Sequence, residues 1–537
     1  MARPVLLRGG LLIDGSGRPG ARRDLAFNGR QIVAPDRIDE GDAEVIDVGG
    51  LAVSPGFIDV HTHSDAITLQ EGGQTGELSL AAARQGVTLE IAGNCGYSMF
   101  PGPTREELRP QLDELGSAIF GEPCRGHDTL TEYAASQRVV GRVNHLATLV
   151  GHSTLRTAVS GFAQRTLRDD ELDRMLALLD AALAGGAVGW SSGLIYPPGS
   201  YAPRDELIAM ARVSTRHGVP YVTHMRDEMR GVVDALGEAL EIAGASGSPL
   251  HVSHHKTAGK YAAGKSRATL EMMDEARARG LDVTCDVYPY TAGSTNLHAM
   301  LPPWTAEGGL GALLERITDP LIREQIRHDI EAGTPGWENT VGNGGWHLID
   351  VASAPHRPET LGKSIAELAA ATRQDPLDFA LDLLLAEDGL VTIISRTVEE
   401  VDMRRILAHP GTMIGSDGVP RDGKPHPRWA GTFARVLGNY VREEGVLELE
   451  EAVRRMTALP ARRFGLAGRG SLDIGGIADL VVFDPERIAD RATFADPLLP
   501  PVGVERVFVS GQQVFCGGHV SAARPGEVVA RGSDEEV

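Results

Sequence analysis

The stretch "PGFIDVHTHSD", Pro55 to Asp65, decides how this chain is read. An apolar, β-rich run leads into His61-Thr62-His63 and stops. Along a strand, alternate side chains point to the same side, so both imidazoles can face one point. Alone the pair is ambiguous, because two histidines one residue apart also occur on plain surfaces where strands end. The question is whether other strand ends offer donors to the same place.

Outward from that stretch the sequence has two textures. Residues 1–55 read as short strands broken by Gly/Asp turns, as in "PVLLRGGLLIDG" and "AEVIDVGGLAVSPG". From Gly56, apolar β-rich runs alternate with helix-length segments such as "DDELDRMLALLDAALAGG". Strands are expected at 56–61, 87–92, 143–149, 188–191, 220–223, 250–253, 281–286 and 411–415. These eight runs are mostly continuous rather than alternating, which describes a buried parallel sheet. At this length a (β/α)8 TIM-type barrel over 56–460 fits best, with a doubly wound sheet as the alternative. An insertion at about 295–405 separates the last two strands, and it reads equally as a lid or as decoration. "GSLDIGGIADLVVFD" and "VERVFVSGQQVF" return to the opening texture. Residues 461–525 are therefore expected to join 1–55 in one small β-sandwich domain. Residues 526–537, ending in "ARGSDEEV", are expected to form a polar, frayed tail.

Composition narrows the partners. The net charge is −21, from 52 basic and 73 acidic residues, which opposes nucleic acid phosphates and anionic membranes. Cys95, Cys124, Cys285 and Cys516 form no CxxC pair, which fits a reducing compartment better than a disulfide framework. The opening residues lack the continuous apolar run of a signal peptide. No apolar run approaches the ~20 residues needed to span a bilayer. A cytoplasmic protein is expected, with its oligomeric state open, and the charge says little about a small substrate.

In a barrel, the C-terminal ends of the strands converge on one mouth. The first ends in His61 and His63. The second, "AGNCGYS", brings Cys95. The fifth, "VTHMRDE", brings His224. The sixth, "HVSHHK", brings His254, chosen over His251 and His255 because it sits where the strand should end. The eighth, "IGSDG", brings Asp417. Singly each has an ordinary explanation; a lone cysteine is more often a small buried hydrophobe than a ligand. Random placement, however, would scatter such residues over both ends of the barrel. Nitrogen, sulfur and carboxylate donors together suit zinc.

With the distant "GSDG" and the "GGIADLVVFD" near the C-terminus, the opening stretch resembles the amidohydrolase superfamily. More narrowly, "GNCGYS", "VGHSTLR", "SSGLIYPPG", "YVTHMRDE", "VSHHK", "DVYPYTAGST" and "HPRWAGTFARVLG" resemble the N-acyl-D-amino-acid deacylases, in order, from near residue 5 to about 515. The resemblance implies the barrel and the two-terminus β-sandwich. It implies one zinc held tightly by Cys95, His224 and His254, and a weaker or optional position at His61, His63 and Asp417. Two-metal amidohydrolases mostly bridge their ions with a carboxylated lysine on the fourth strand. Here that strand ends "GWSSGLIYPPGS", without lysine, and Cys95 is the substitute.

The activity so implied is zinc-dependent hydrolysis of N-acyl-D-amino acids to a carboxylate and a free D-amino acid. Asp417 is the candidate proton carrier. The substrate's own carboxylate needs a basic partner, and Arg428 and Lys256 stand near the eighth and sixth strand ends. Tyr288 and Ser294 can add hydroxyls, and Tyr196 is placed near the acyl group. His152 is expected to make a structural hydrogen bond. After Ser294 the chain reads "TNLHAMLPPW", without the Arg or Lys with which relatives acting on acidic D-amino acids pair the side-chain carboxylate near this point, so the resemblance implies neutral or apolar D-side chains. The rival readings are hydrolysis of cyclic amides, as in dihydropyrimidinases and dihydroorotases, and a non-catalytic scaffold. The absent lysine and Cys95 speak against the first, and the full donor set against the second.

Overall fold

The computed structural model describes residues 3–67, 69, 77–120, 124–334 and 336–532. Eight short parallel strands form the barrel: Phe57–Asp59, Val87–Ala92, His145–Thr148 (resumed by Val150–Gly151), Trp190–Gly193, Tyr221–His224, Leu250–Val252, Val283–Val287 and Thr412–Ile414. Each overlaps the segment expected for it. The first three strands pair in order, and the ring from Val150–Gly151 round to Thr412–Ile414 is parallel throughout. Closure between the first and eighth strands comes just beyond their regular parts. The Asp417 N–H donates to His61 O at 2.7 Å, and the His63 N–H donates to Gly418 O at 2.9 Å. The backbone that shuts the barrel therefore carries three of the candidate ligands.

Apolar patterning places the layers. Ile58, Leu89, Ile91, Ala147, Val222 and Met413, from five different strands, share one buried cluster inside the ring. The helix Asp169–Ala184 buries Met175, Leu179 and Leu183, one turn apart, and opens with Asp169, Asp170 and Glu171, where its dipole favours acids.

Both chain ends build one nine-stranded sheet. Its seam is the antiparallel pairing of Ala52–Pro55 with Leu480–Phe483. Period two decides the faces: Leu480 and Val482 enter the sheet's own core, while Val481 and Phe483 join the core shared with the barrel. Phe27 and Phe508 lie on strands separated by three others, about 19 Å in a flat sheet. Their ring centroids are nevertheless 5.2 Å apart, so the sheet is folded face to face on itself.

The chain between the seventh and eighth barrel strands forms a unit with its own three-stranded sheet (Gly293–Asn296, Thr392–Ser395, Ile349–Ser353) and its own core, including Leu313, Ile326, Leu381 and Ile393. It starts slightly before the expected boundary at 295. It also ends before 405, because the helix Glu400–Ala408 packs Met403, Ile406 and Leu407 into the barrel's core.

The expectation of a frayed tail from 526 is corrected. Val528 and Val529 are apolar and buried, and the Val529 N–H donates to Leu146 O beneath the third strand. The Gly532 N–H donates to Gly465 O. Residues 533–537 lie outside the described residues. Among the described residues, no helix is long and apolar enough to cross a membrane.

Candidate active site

Cys95 stands at the centre of the mouth. Its Sγ lies 3.4 Å from His61 Nε2, 3.4 Å from His254 Nε2 and 3.7 Å from His224 Nδ1. Asp417 Oδ1 lies 3.4 Å from Nε2 of both His61 and His63. Two clusters share this thiol, Cys95/His224/His254 and His61/His63/Cys95/Asp417, and a third, His224/Glu228/Glu338, adjoins them, each with its donor atoms within 4.8 Å of one another.

The local backbone aims these donors. Cys95, His254 and Asp417 all take positive φ, at 52°, 32° and 49°. Such conformations are costly for residues other than glycine and cluster at functional sites. They turn the chain sharply at three strand ends. Gly193, at the end of the fourth strand, makes room: a Cβ there would stand 2.1 Å from Cys95 O. The fourth strand, Trp190–Gly193, carries no lysine, and the Cys95 backbone packs directly against its last residue.

The electrostatics favour a cation. Burial pushes the Cys95 thiol up, but His61, His254 and His224 outweigh it and hold it well below its usual range, as a thiolate. Burial also raises Asp417, yet Arg428, His61 and His254 hold it well below the carboxylate range. His63 is lowered by burial but raised overall to about 9 by Asp417 and Cys95. Nδ1 of His63 is buried without a hydrogen-bond partner among the described residues. A buried thiolate, a carboxylate and four imidazoles facing one another match the donor set of zinc.

Three carboxylates support the centre that the sequence did not single out. Glu228 Oε1 lies 3.0 Å from His254 Nδ1, and its Oε2 lies 3.4 Å from His224 Nε2. His254 Nδ1 thus faces Glu228 on the outer side of the ring, while Nε2 faces Cys95. Glu338, from the inserted unit, accepts the Glu228 backbone N–H at 2.7 Å. Asp286 Oδ2 lies 3.6 Å from His61 Nδ1 and accepts from His251 Nε2 at 2.9 Å. The only available signal for Glu228 was its position four residues after His224 in "HMRDE".

The residues expected at the substrate's carboxylate converge, but not as free groups. Lys256 Nζ is 2.5 Å from Glu228 Oε2 and 2.8 Å from His254 Nδ1. Arg428 Nη1 is 2.8 Å from Asp417 Oδ2, and its Nη2 donates to Ser294 O at 3.3 Å. The Arg428 guanidinium lies 4.7 Å from the Tyr288 ring centroid, and Lys256 Nζ lies 5.8 Å from it. The Tyr288 hydroxyl is buried without a partner among the described residues. Tyr196 lines the same cavity, hydrogen-bonded to Thr295 Oγ1 at 3.0 Å. His152 is elsewhere, 2.8 Å from Glu206 Oε1 beneath the third strand end.

A (β/α)8 barrel whose strand ends bring histidines, a thiolate and an aspartate to one point defines a metal-dependent hydrolase of the TIM-barrel class. The model of the amidohydrolase family matches residues 44–515. A D-aminoacylase of Alcaligenes xylosoxydans xylosoxydans is 39% identical, covering 98% of this chain and 97% of that protein. An N-acyl-D-glutamate deacylase of the same organism is 38% identical, covering 98% and 96%. The crystal structure of N-acyl-D-glutamate deacylase from Bordetella bronchiseptica, with zinc and a phosphonate mimic of the tetrahedral intermediate, superposes with a TM-score of 0.83. It is 35% identical, and the match covers 99% of this chain and 100% of that one. The chain belongs to the amidohydrolase family and, within it, to the N-acyl-D-amino-acid deacylases.

Proposed function

We propose that the protein hydrolyses the amide bond of N-acyl-D-amino acids with zinc held by Cys95, His224 and His254, while His61, His63 and Asp417 offer a second, looser position. The observation that carries this is Cys95 as a buried thiolate at the meeting point of the two clusters that share it. Zinc bound there supplies Lewis acidity toward the scissile carbonyl. Asp417 Oδ1, between His61 and His63, takes a proton from the attacking water and returns it to the departing nitrogen. Arg428 and Lys256, with Tyr288 between them, hold the substrate's carboxylate, and the Tyr288 and Ser294 hydroxyls add donors. Tyr196 flanks the acyl side.

The apolar lining of the cavity includes Met300, from the inserted unit, and Val419, just past the eighth strand. Lys256, the lysine in its lining, is paired with Glu228. This supports neutral or apolar D-amino acids, such as D-methionine and D-leucine, over acidic ones. The test is release of free amine from matched N-acetyl-D- and N-acetyl-L-amino acids, before and after chelation. D-only, chelator-sensitive release is expected. Preference for N-acetyl-D-glutamate over N-acetyl-D-methionine would overturn the side-chain assignment, and turnover of dihydropyrimidines alone would overturn the reaction.

A further inference from the structure

A second cavity adjoins the catalytic one, and Tyr97, Tyr196, Ile119 and Asn296 line both. Its further walls include Leu115, Phe162, Ala306, Leu310 and Leu313. It lies at the seam between two hydrophobic cores. Leu115 and Phe162 belong to the barrel's core and Leu313 to that of the inserted unit. The seam is tied by backbone, with the Gly308 N–H donating to Phe162 O at 3.3 Å. Besides the two tyrosines, Glu114 and His298 are the ionisable groups that line it among the described residues. The Glu114 carboxylate accepts the Leu310 backbone N–H. Burial lowers His298 to about 4, so it is neutral near pH 7.

Direction around the barrel assigns the occupant. Lys256, Tyr288 and Arg428 follow the sixth, seventh and eighth strands, so the substrate's carboxylate end lies on that side. Tyr97 and Tyr196 follow the second and fourth strands, across the mouth, with ring centroids 5.6 Å apart. Cys95 and His224 lie between, where the scissile carbonyl must sit; the Tyr196 ring is 5.2 Å from that of His224. The amino acid's side chain branches from the carbon bearing the carboxylate and stays on the near side. Past the carbonyl, only the acyl chain continues toward the two tyrosines.

Resting on the deacylase reading above, we propose that this apolar cavity seats the acyl chain, so that the protein takes N-acyl-D-amino acids with short- to medium-length aliphatic acyl groups in preference to acetyl. Each methylene leaving water for such a wall gains about 0.8 kcal/mol, roughly a fourfold change. With D-methionine as the common amine, kcat/KM should therefore rise up to fourfold per methylene from acetyl through butyryl to hexanoyl. Ala306→Phe fills the cavity and should cut the hexanoyl-to-acetyl ratio at least tenfold. Leu310→Ala, on the same wall, should shift the best chain length upward. Thermal midpoints of both variants show that they fold. A flat or falling series in the unmodified protein overturns the proposal. So does a ratio unmoved by both variants, or a gain that follows D-side-chain length at constant acyl group. If no acyl length is released from any D-amino acid, the deacylase reading falls instead.

Discussion

Arg428 Nη1 stands 2.8 Å from Asp417 Oδ2, with both side chains buried. The guanidinium expected to hold the substrate's carboxylate thus also holds the residue expected to move the proton. One cation serves two anions, so substrate binding and proton transfer are coupled through it. Arg428→Ala should lower kcat/KM by about 30-fold or more, since removing one partner of a buried charge pair costs about 2–5 kcal/mol. The sign of its pH effect is fixed. Arg428 helps keep the Asp417 carboxyl low, so without it the acid limb of the pH–rate profile moves to higher pH. Arg428→Lys keeps the charge but loses the fork and should fall between. An acid limb unmoved in Arg428→Ala would separate the two roles.

Asp417 and Cys95 should fail differently. Asp417→Asn leaves Cys95, His224 and His254 untouched, so tightly held zinc stays while turnover drops by about 10²–10⁴, the usual worth of a positioned acid–base group. Cys95→Ala removes the donor that two clusters share and should lose zinc and activity together. Elemental analysis beside steady-state rates distinguishes them. Full activity in Asp417→Asn would remove it from proton transfer.

Glu228 is predicted to act through its neighbours rather than on substrate. Its two oxygens face the outer nitrogens of both His254 and His224, and Lys256 shares one of them. Glu228→Gln should weaken zinc binding about 10–100-fold, as measured by competition with a chelator. A loss of turnover at saturating zinc with unchanged zinc affinity would contradict the positioning role.

What could be read beforehand follows from chain-local physics. Continuous apolar runs marked all eight strands, and the residues just past them marked Cys95, His224, His254 and Asp417. Glu228, Glu338 and Asp286 escaped because they act in three dimensions. Glu228 lies four residues past His224 in an irregular loop, and Glu338 comes from the inserted unit. The pairing of Lys256 and Arg428 with acids also escaped, since a basic residue near a strand end says nothing of which acid it meets. The buried tail segment was misread because Val528 and Val529 are too short an apolar run to signal burial.

A buried ion cluster joins the folded sheet to the barrel. Asp479 lies just before Leu480–Phe483, and its side chain reaches His145 Nε2 at 3.2 Å and Arg469 Nε at 3.3 Å. It also accepts the Ser510 N–H at 2.8 Å. Burial raises its carboxyl, but His145 and Arg469 outweigh that and bring it from 3.8 down to about 2. A depressed carboxyl stabilises the fold above its unfolded value and loses that contribution as pH falls through its folded value. The shift corresponds to about 2 kcal/mol, present at pH 5–7 and lost between about pH 4 and 2. Asp479→Asn should cost about 3–5 kcal/mol near neutrality, because it leaves Arg469 buried beside an uncharged amide. The gap to the unmodified protein should then narrow on acidification. Denaturant midpoints of both proteins, stripped of metal with a chelator and taken at pH 7, 5 and 3.5, provide the measurement. A gap that stays constant or widens toward acid would mean that the Asp479 charge does not hold the sheet to the barrel.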